Sequence, residues 1–188
     1  TADRSGVDHV TGASQKAREP GAVAGMSRLD SFIRRLEAQR ACLDHAARLA
    51  AEVPGIVVEL GLGNGRTFDH LRARVGDREI FVFERKPDPH PLCAPDPAHL
   101  ILGDLADTLP TARLRLPGPV ALAHSDIGSG DTAASAASAA LVARHLPGLL
   151  APGAVVASDQ PLASPLLTPL ALPPDVAPGR YFMYRRIA

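Results

Sequence analysis

The chain of 188 residues has no excess of either charge: twenty Lys and Arg stand against twenty Asp and Glu, for a formal net charge of +0. That balance argues against a broadly basic surface, so no nucleic-acid partner is expected. Cysteine is scarce. Cys42 and Cys93 alone form neither a disulfide framework nor a metal-ligand pattern. No apolar run approaches the roughly 20 residues of a membrane span, so no membrane partner is expected. The first residues lack the apolar core of a secretory signal, which makes a cytoplasmic location the default expectation. Lysine is nearly missing while arginine, alanine and proline abound, a bias of high-GC coding before it is a functional signal. What remains, 46% hydrophobic and 21% charged residues, suits one soluble globular domain large enough for a real core.

Two phosphate-binding signatures are missing as well. The run Gly55-Ile56-Val57-Val58-Glu59-Leu60-Gly61-Leu62-Gly63-Asn64-Gly65-Arg66-Thr67 ends an apolar strand on an acid and then sets glycines at alternate positions. Glycine lets a backbone turn sharply and approach a ligand closely. The pattern is that of the first strand–turn–helix of a nucleotide-binding α/β domain. Arg66 breaks the G-x-G-x-x-G spacing of dinucleotide sites, and no Gly-Lys-Ser/Thr follows to make a phosphate loop. A carboxylate at Glu59 disfavours phosphate and suits a cationic ligand.

Two more apolar segments end on acids: Glu79-Ile80-Phe81-Val82-Phe83-Glu84, and His99-Leu100-Ile101-Leu102-Gly103-Asp104-Leu105. Glu84 lies roughly 20 residues past the glycines, where a strand-end carboxylate accepts from both ribose hydroxyls. The block E-x-G-x-G-x-G resembles motif I of class I S-adenosylmethionine-dependent methyltransferases. The chain is also similar to a small, poorly characterised bacterial family of them that begins with a helix like Ser27–Val53. The resemblance spans about Ile56 to Gln160. It implies S-adenosyl-L-methionine as cofactor, with Glu59 near the methionine moiety and Gly61, Gly63 and Gly65 opening the turn. It implies Glu84 on the ribose, Asp104 on the adenine amino group and the Leu105 N–H on a ring nitrogen. Leu62, Asn64, Arg85 and Gly103 belong to the same binding turns, and Asp126 is a further cofactor candidate. A tight turn in another α/β protein, such as an NAD(P)-dependent reductase, is one rival; a cofactor-binding protein without catalysis is the other.

The alternation of strands and helices predicts a doubly wound, mostly parallel, Rossmann-like sheet with helices on both faces. Residues 1–25 read as a flexible leader and 26–188 as a single domain: an N-terminal helix over 27–53, a core over 55–160 and an irregular part over 161–188. Leu29, Phe32, Ile33, Leu36, Leu43, Ala47, Leu49 and Val53 recur at helical spacing behind a Ser27 N-cap, with Pro54 as a stop. That helix either packs beside the sheet with a charged outer face or forms a substrate-side lid or dimer surface, so a homo-oligomer stays open. Strands are expected at Ile56–Leu60, Ile80–Glu84, Leu100–Leu102, Val120–His124 and Ala154–Ser158. Helices are expected from about Thr67 to Val75, over Ala106–Arg113 and over Thr132–His145. The five prolines between Lys86 and Pro97 predict loop. After strand five only Arg180–Arg186 reads as a strand, so the C-terminal strand region is expected to be shortened.

Methyl transfer is an in-line displacement that depends on positioning, with a base only where the nucleophile must lose a proton. Substrate chemistry belongs outside the carboxyl ends of strands four and five. Strand four runs into His124-Ser125-Asp126, and the lack of Asn/Asp-Pro-Pro-Tyr/Phe argues against adenine-N6 and glutamine-amide methylation. The catalytic candidates are His124, which is either a general base or a core histidine, and Asp126. Asp126 and Asp159 also match the carboxylates of metal-dependent small-molecule O-methyltransferases, with Gln160 in place of Asn. The alternative has Asp126 on cofactor or cap groups and Asp159 capping a turn. The expected function is methyl transfer to an oxygen or nitrogen of a small-molecule acceptor.

Overall fold

The computed structural model describes residues 27–187; the expected leader at 1–25 lies outside them. Helix α1 spans Arg28–Leu49 and opens on a capping box: the Ser27 hydroxyl accepts from the Asp30 N–H, and the Asp30 carboxylate accepts from the Ser27 N–H. It ends at Leu49 on Ala50, ahead of the expected stop at Pro54. Its buried face is Ala38, Gln39, Cys42, Leu43 and Ala46, whereas Leu29, Phe32 and Ile33 in the first turns stay exposed.

Strands β1 (Ile56–Leu60), β2 (Ile80–Glu84), β3 (Leu100–Leu102), β4 (Val120–Ser125) and β5 (Leu150–Ser158) pair in parallel. With β6 (Leu167–Pro169) and β7 (Phe182–Arg186) they form one seven-stranded sheet in the order β3-β2-β1-β4-β5-β7-β6. The order reverses between β1 and β4, which opens a crevice at their carboxyl ends. Helices α1 and α2 (Arg66–Arg72) cover one face with Cys42, Leu43, Phe68 and Leu71 against Val57, Val82 and Leu122. Helix α4 (Thr132–His145) covers the other with Ala139 and Val142 against Val58, Phe83 and Ala123. Among the described residues no helix is long and apolar enough to cross a membrane.

The C-terminal strand region is short, and it holds one strand more than the expected one near Arg180–Arg186: a three-residue β6 pairs antiparallel with β7, with Leu167 opposite Arg186 and Pro169 opposite Tyr184. The Pro/Leu-rich run supplies only three residues to β6, at the sheet edge where a proline without an N–H is tolerated. That is why no periodicity marks it. Strand β5 starts four residues before the expected Ala154, and its register against β4 shifts around Pro152 and Gly153. The expected helix over Ala106–Arg113 is α3 (Leu105–Thr108) followed by a 3-10 turn over Leu109–Leu114, because Pro110 cannot continue the α-helical ladder. Helix α2 ends at Arg72, short of Val75.

Candidate functional site

Four strand ends, those of β1 to β4, meet above the topological switch. The cleft there measures about 410 Å³ and is lined by Gly61, Gly63, Glu84, Arg85, Asp104, Leu105 and Asp126 among others. The glycine turn divides its labour. Gly63 has φ +51° and nothing within 4 Å of where a Cβ would stand, so it faces open cleft. A Cβ at Gly61 would run into the Asp126 carbonyl, and one at Gly65 into the backbone of Cys93. Gly65 is thus fixed by the proline-rich loop, which also donates the His90 N–H to the Asn64 carbonyl at 3.1 Å. That loop carries only short 3-10 turns over Pro91–Cys93 and Pro97–His99.

Glu84 reaches back under the turn, where its Oε2 accepts from the N–H of Leu62 at 2.8 Å and of Gly63 at 3.3 Å; Oε1 accepts from Lys86 N–H at 2.8 Å. Partial burial pushes its pKa up, but backbone donors from Lys86, Leu62, Gly63 and Arg85 outweigh that and hold it below the ordinary carboxylate value. Asp104 caps α3 by accepting from the Ala106 N–H at 3.0 Å, and its other oxygen stands 3.8 Å from Arg85. Both residues remain substantially exposed in the cleft.

Glu59, Leu62, Asn64, Gly65, Gly103 and His124 do not line the cleft. Glu59 is fully buried beneath the turn, where its Oε1 accepts from the Thr67 hydroxyl and lies 3.1 Å from His124 Nδ1; its Oε2 has no partner. The β1/β4 register places Glu59 directly opposite His124. His124 is fully buried too, and its Nε2 lies 2.5 Å from the Tyr181 hydroxyl. Burial, together with the nearby charge of Asp126, pushes the Tyr181 phenol well above its usual value. Glu59 Oε1 is an acceptor, so Nδ1–H donates to it, and the Tyr181 hydroxyl closes the chain at Nε2. The structure makes His124 a core histidine, not a base in the cleft, because both ring nitrogens are engaged and neither reaches solvent.

Asp126 does reach the cleft, and buried Gln39 from α1 donates to its Oδ2 at 2.9 Å. Asp159 accepts from the N–H of Ile127 at 3.1 Å and of Gly128 at 2.8 Å, while Gln160 Nε2 turns to it at 3.3 Å. Burial first, then the Asp126 charge, raises its pKa. Asp159 thus caps the loop after β4, its oxygens committed to backbone. Among the described residues no three His, Cys, Asp or Glu side chains group as a metal site requires.

Sequence reasoning missed Gln39 and the α4 wall of Ala134, Ser138 and Leu141. Gln39 falls three residues after Leu36 and four before Leu43, so a polar side chain on the apolar stripe was the available signal. The α4 wall follows i, i+4, i+7 spacing within an alanine-rich helix that offers no chemical mark.

A family model described as S-adenosyl-L-methionine methyltransferase matches residues 26–186. The crystal structure of an S-adenosyl-L-methionine methyltransferase from Silicibacter pomeroyi DSS-3 is 44% identical, covers 86% of this chain and 99% of that one, and superposes with a TM-score of 0.81. More distant likenesses show the fold alone. Cofactor-bound Rv0187 from MTB is 16% identical over 88% of this chain and 92% of that one, with a TM-score of 0.52. CalS11, a TDP-rhamnose 3'-O-methyltransferase of calicheamicin biosynthesis, is 20% identical over 85% and 80%, with a TM-score of 0.56. A comparison with curated proteins gives no match.

Proposed function

We propose that this chain, which belongs to the S-adenosyl-L-methionine methyltransferase family, carries the methyl group of its cofactor to an oxygen or nitrogen of a small-molecule acceptor. It is an enzyme of the Rossmann-like methyltransferase fold, and S-adenosyl-L-methionine is its cofactor. The observation that carries the site assignment is the cleft at the switch point, where Gly61, Gly63, Glu84, Asp104, Leu105 and Asp126 converge.

The residues present fit that cofactor. Gly63 leaves open space where a side chain would stand, and Glu84 and Asp104 offer acceptors spaced along the cleft for ribose hydroxyls and an adenine amino group. Glu59 lies fully buried beneath the turn, where it supports that turn through the Thr67 hydroxyl. When bound, the cofactor supplies an activated methyl on a sulfonium. The chain's own part is to orient and dry the acceptor beside it. Asp126 is the carboxylate placed to orient a nucleophile or take its proton, and Gln39 fixes its direction by the 2.9 Å hydrogen bond. A chain of zero net charge supports a small acceptor over a nucleic acid.

Thermal unfolding tests the ligand. S-adenosylhomocysteine at one hundred times its dissociation constant should add about 2.7 kcal/mol of stability, while NADPH at the same concentration should leave the transition where it was. Stabilisation by NADPH alone would overturn the reading.

A further inference from the structure

The face of α1 that packs on the sheet does not stop at the sheet's edge. Steps of three and four place Arg28, Ser31, Phe32, Arg35 and Gln39 along one stripe of the helix. Gln39 is buried and bonded to Asp126, and Cys42, Leu43 and Ala46 continue the stripe into the core. Above Gln39 the same stripe rises past the carboxyl ends of the strands. There Arg28, Ser31, Phe32 and Arg35 line a hollow of about 270 Å³ together with Arg180. Arg180 is held at that edge by Tyr181, whose hydroxyl meets His124, while the next residue, Phe182, pairs with Ser158 at the end of β5.

Three arginines and the half-exposed Phe32 therefore line one hollow with no acid in its lining. None of the ion pairs between described residues uses any of the three. The nearby acids of α1 do not neutralise them: Asp30 is taken by the capping box, and it and Glu37 start from the opposite side of the helix at 100° per residue. Like charges gathered this way repel unless an anion joins them, and planar guanidinium forks match carboxylate and phosphate oxygens. The hollow begins one helical turn, about 6 Å of rise, above the glutamine that holds Asp126.

We propose that this hollow binds the anionic group of the methyl acceptor, an oxyanion (carboxylate or phosphate) carried on an apolar body that lies against Phe32. The acceptor's reactive oxygen or nitrogen is then the end turned toward the Asp126 side of the molecule. The proposal rests on the methyl-transfer reading above and names the class of molecule that it acts on.

The test is calorimetric titration of the full chain, saturated with S-adenosylhomocysteine, with phenyl phosphate, benzoate and inorganic phosphate. At least one organic anion should bind, more tightly than inorganic phosphate. Arg35→Ala and Arg180→Ala should each weaken it by about tenfold or more, Arg35→Lys by less, and Arg34→Ala, on another face, should not. The affinity for S-adenosylhomocysteine should stay the same in every variant, which also shows that each is folded. Whichever organic anion binds tighter identifies the oxyanion. The proposal is overturned if neither organic anion binds the saturated protein, if inorganic phosphate binds as tightly, or if Arg35→Ala and Arg180→Ala bind like the parent. A parent protein that does not take up S-adenosylhomocysteine would refute the cofactor reading instead.

Discussion

Tyr181, His124 and Glu59 form a donor chain inside the protein, and its order is set by chemistry. His124 Nδ1–H donates to the acceptor-only carboxylate of Glu59, and the Tyr181 hydroxyl engages Nε2. Tyr181→Phe removes one donor and leaves His124 Nε2 buried without a partner. Such a loss costs about 1–3 kcal/mol. Urea unfolding should show a drop of that size with the far-UV spectrum unchanged; equal midpoints would mean that the chain is not formed as described. Glu84 differs because its folded pKa lies below its unfolded one. The stabilisation it provides is therefore present at neutral pH and is lost as pH falls through the folded value.

At the scale of elements, the glycine turn serves two masters. Gly63 looks into the cleft, whereas Gly65 carries the proline-rich loop on its bare Cα. Both have positive φ, so alanine at either strains the backbone by about 1–2 kcal/mol. Gly65→Ala must in addition displace Cys93. It should therefore lose more stability in urea than Gly63→Ala, while Gly63→Ala should lose more affinity for S-adenosylhomocysteine by intruding on the cleft. The opposite order in either measurement would contradict this division. Sequence showed the elements whose signal is local. Ile56–Leu60 and Ile80–Glu84 are apolar runs stopped by acids, and both strands appear with those bounds. The edge strand β6 was not legible, since three residues ending in Pro169 take their identity from pairing with β7.

For the whole molecule, the order of the sheet decides what can meet. The reversal between β1 and β4 gathers residues far apart in sequence, among them Gly61, Glu84, Asp104 and Asp126, above one crevice. The strand-end acids could be anticipated because each ends its own apolar run. The meetings across the sheet could not: Gln39 finds Asp126 eighty-seven positions away, and Tyr181 finds His124 only because β7 runs antiparallel beside β5. His124 shows the same limit, since nothing near it in sequence says whether a strand-end histidine faces the cleft or the core. Helix α1 links the two scales. Its C-terminal half is core, and the start of its N-terminal half stays exposed.

The central claim is that acids at the ends of β2 and β3 hold the cofactor in that crevice. Titration calorimetry with S-adenosylhomocysteine on the parent, Glu84→Ala and Asp104→Ala tests it most directly. Each variant should bind about tenfold to a hundredfold more weakly, the loss of charge-assisted hydrogen bonds worth about 1.5–3 kcal/mol. Parent-like affinity in both variants would contradict the account.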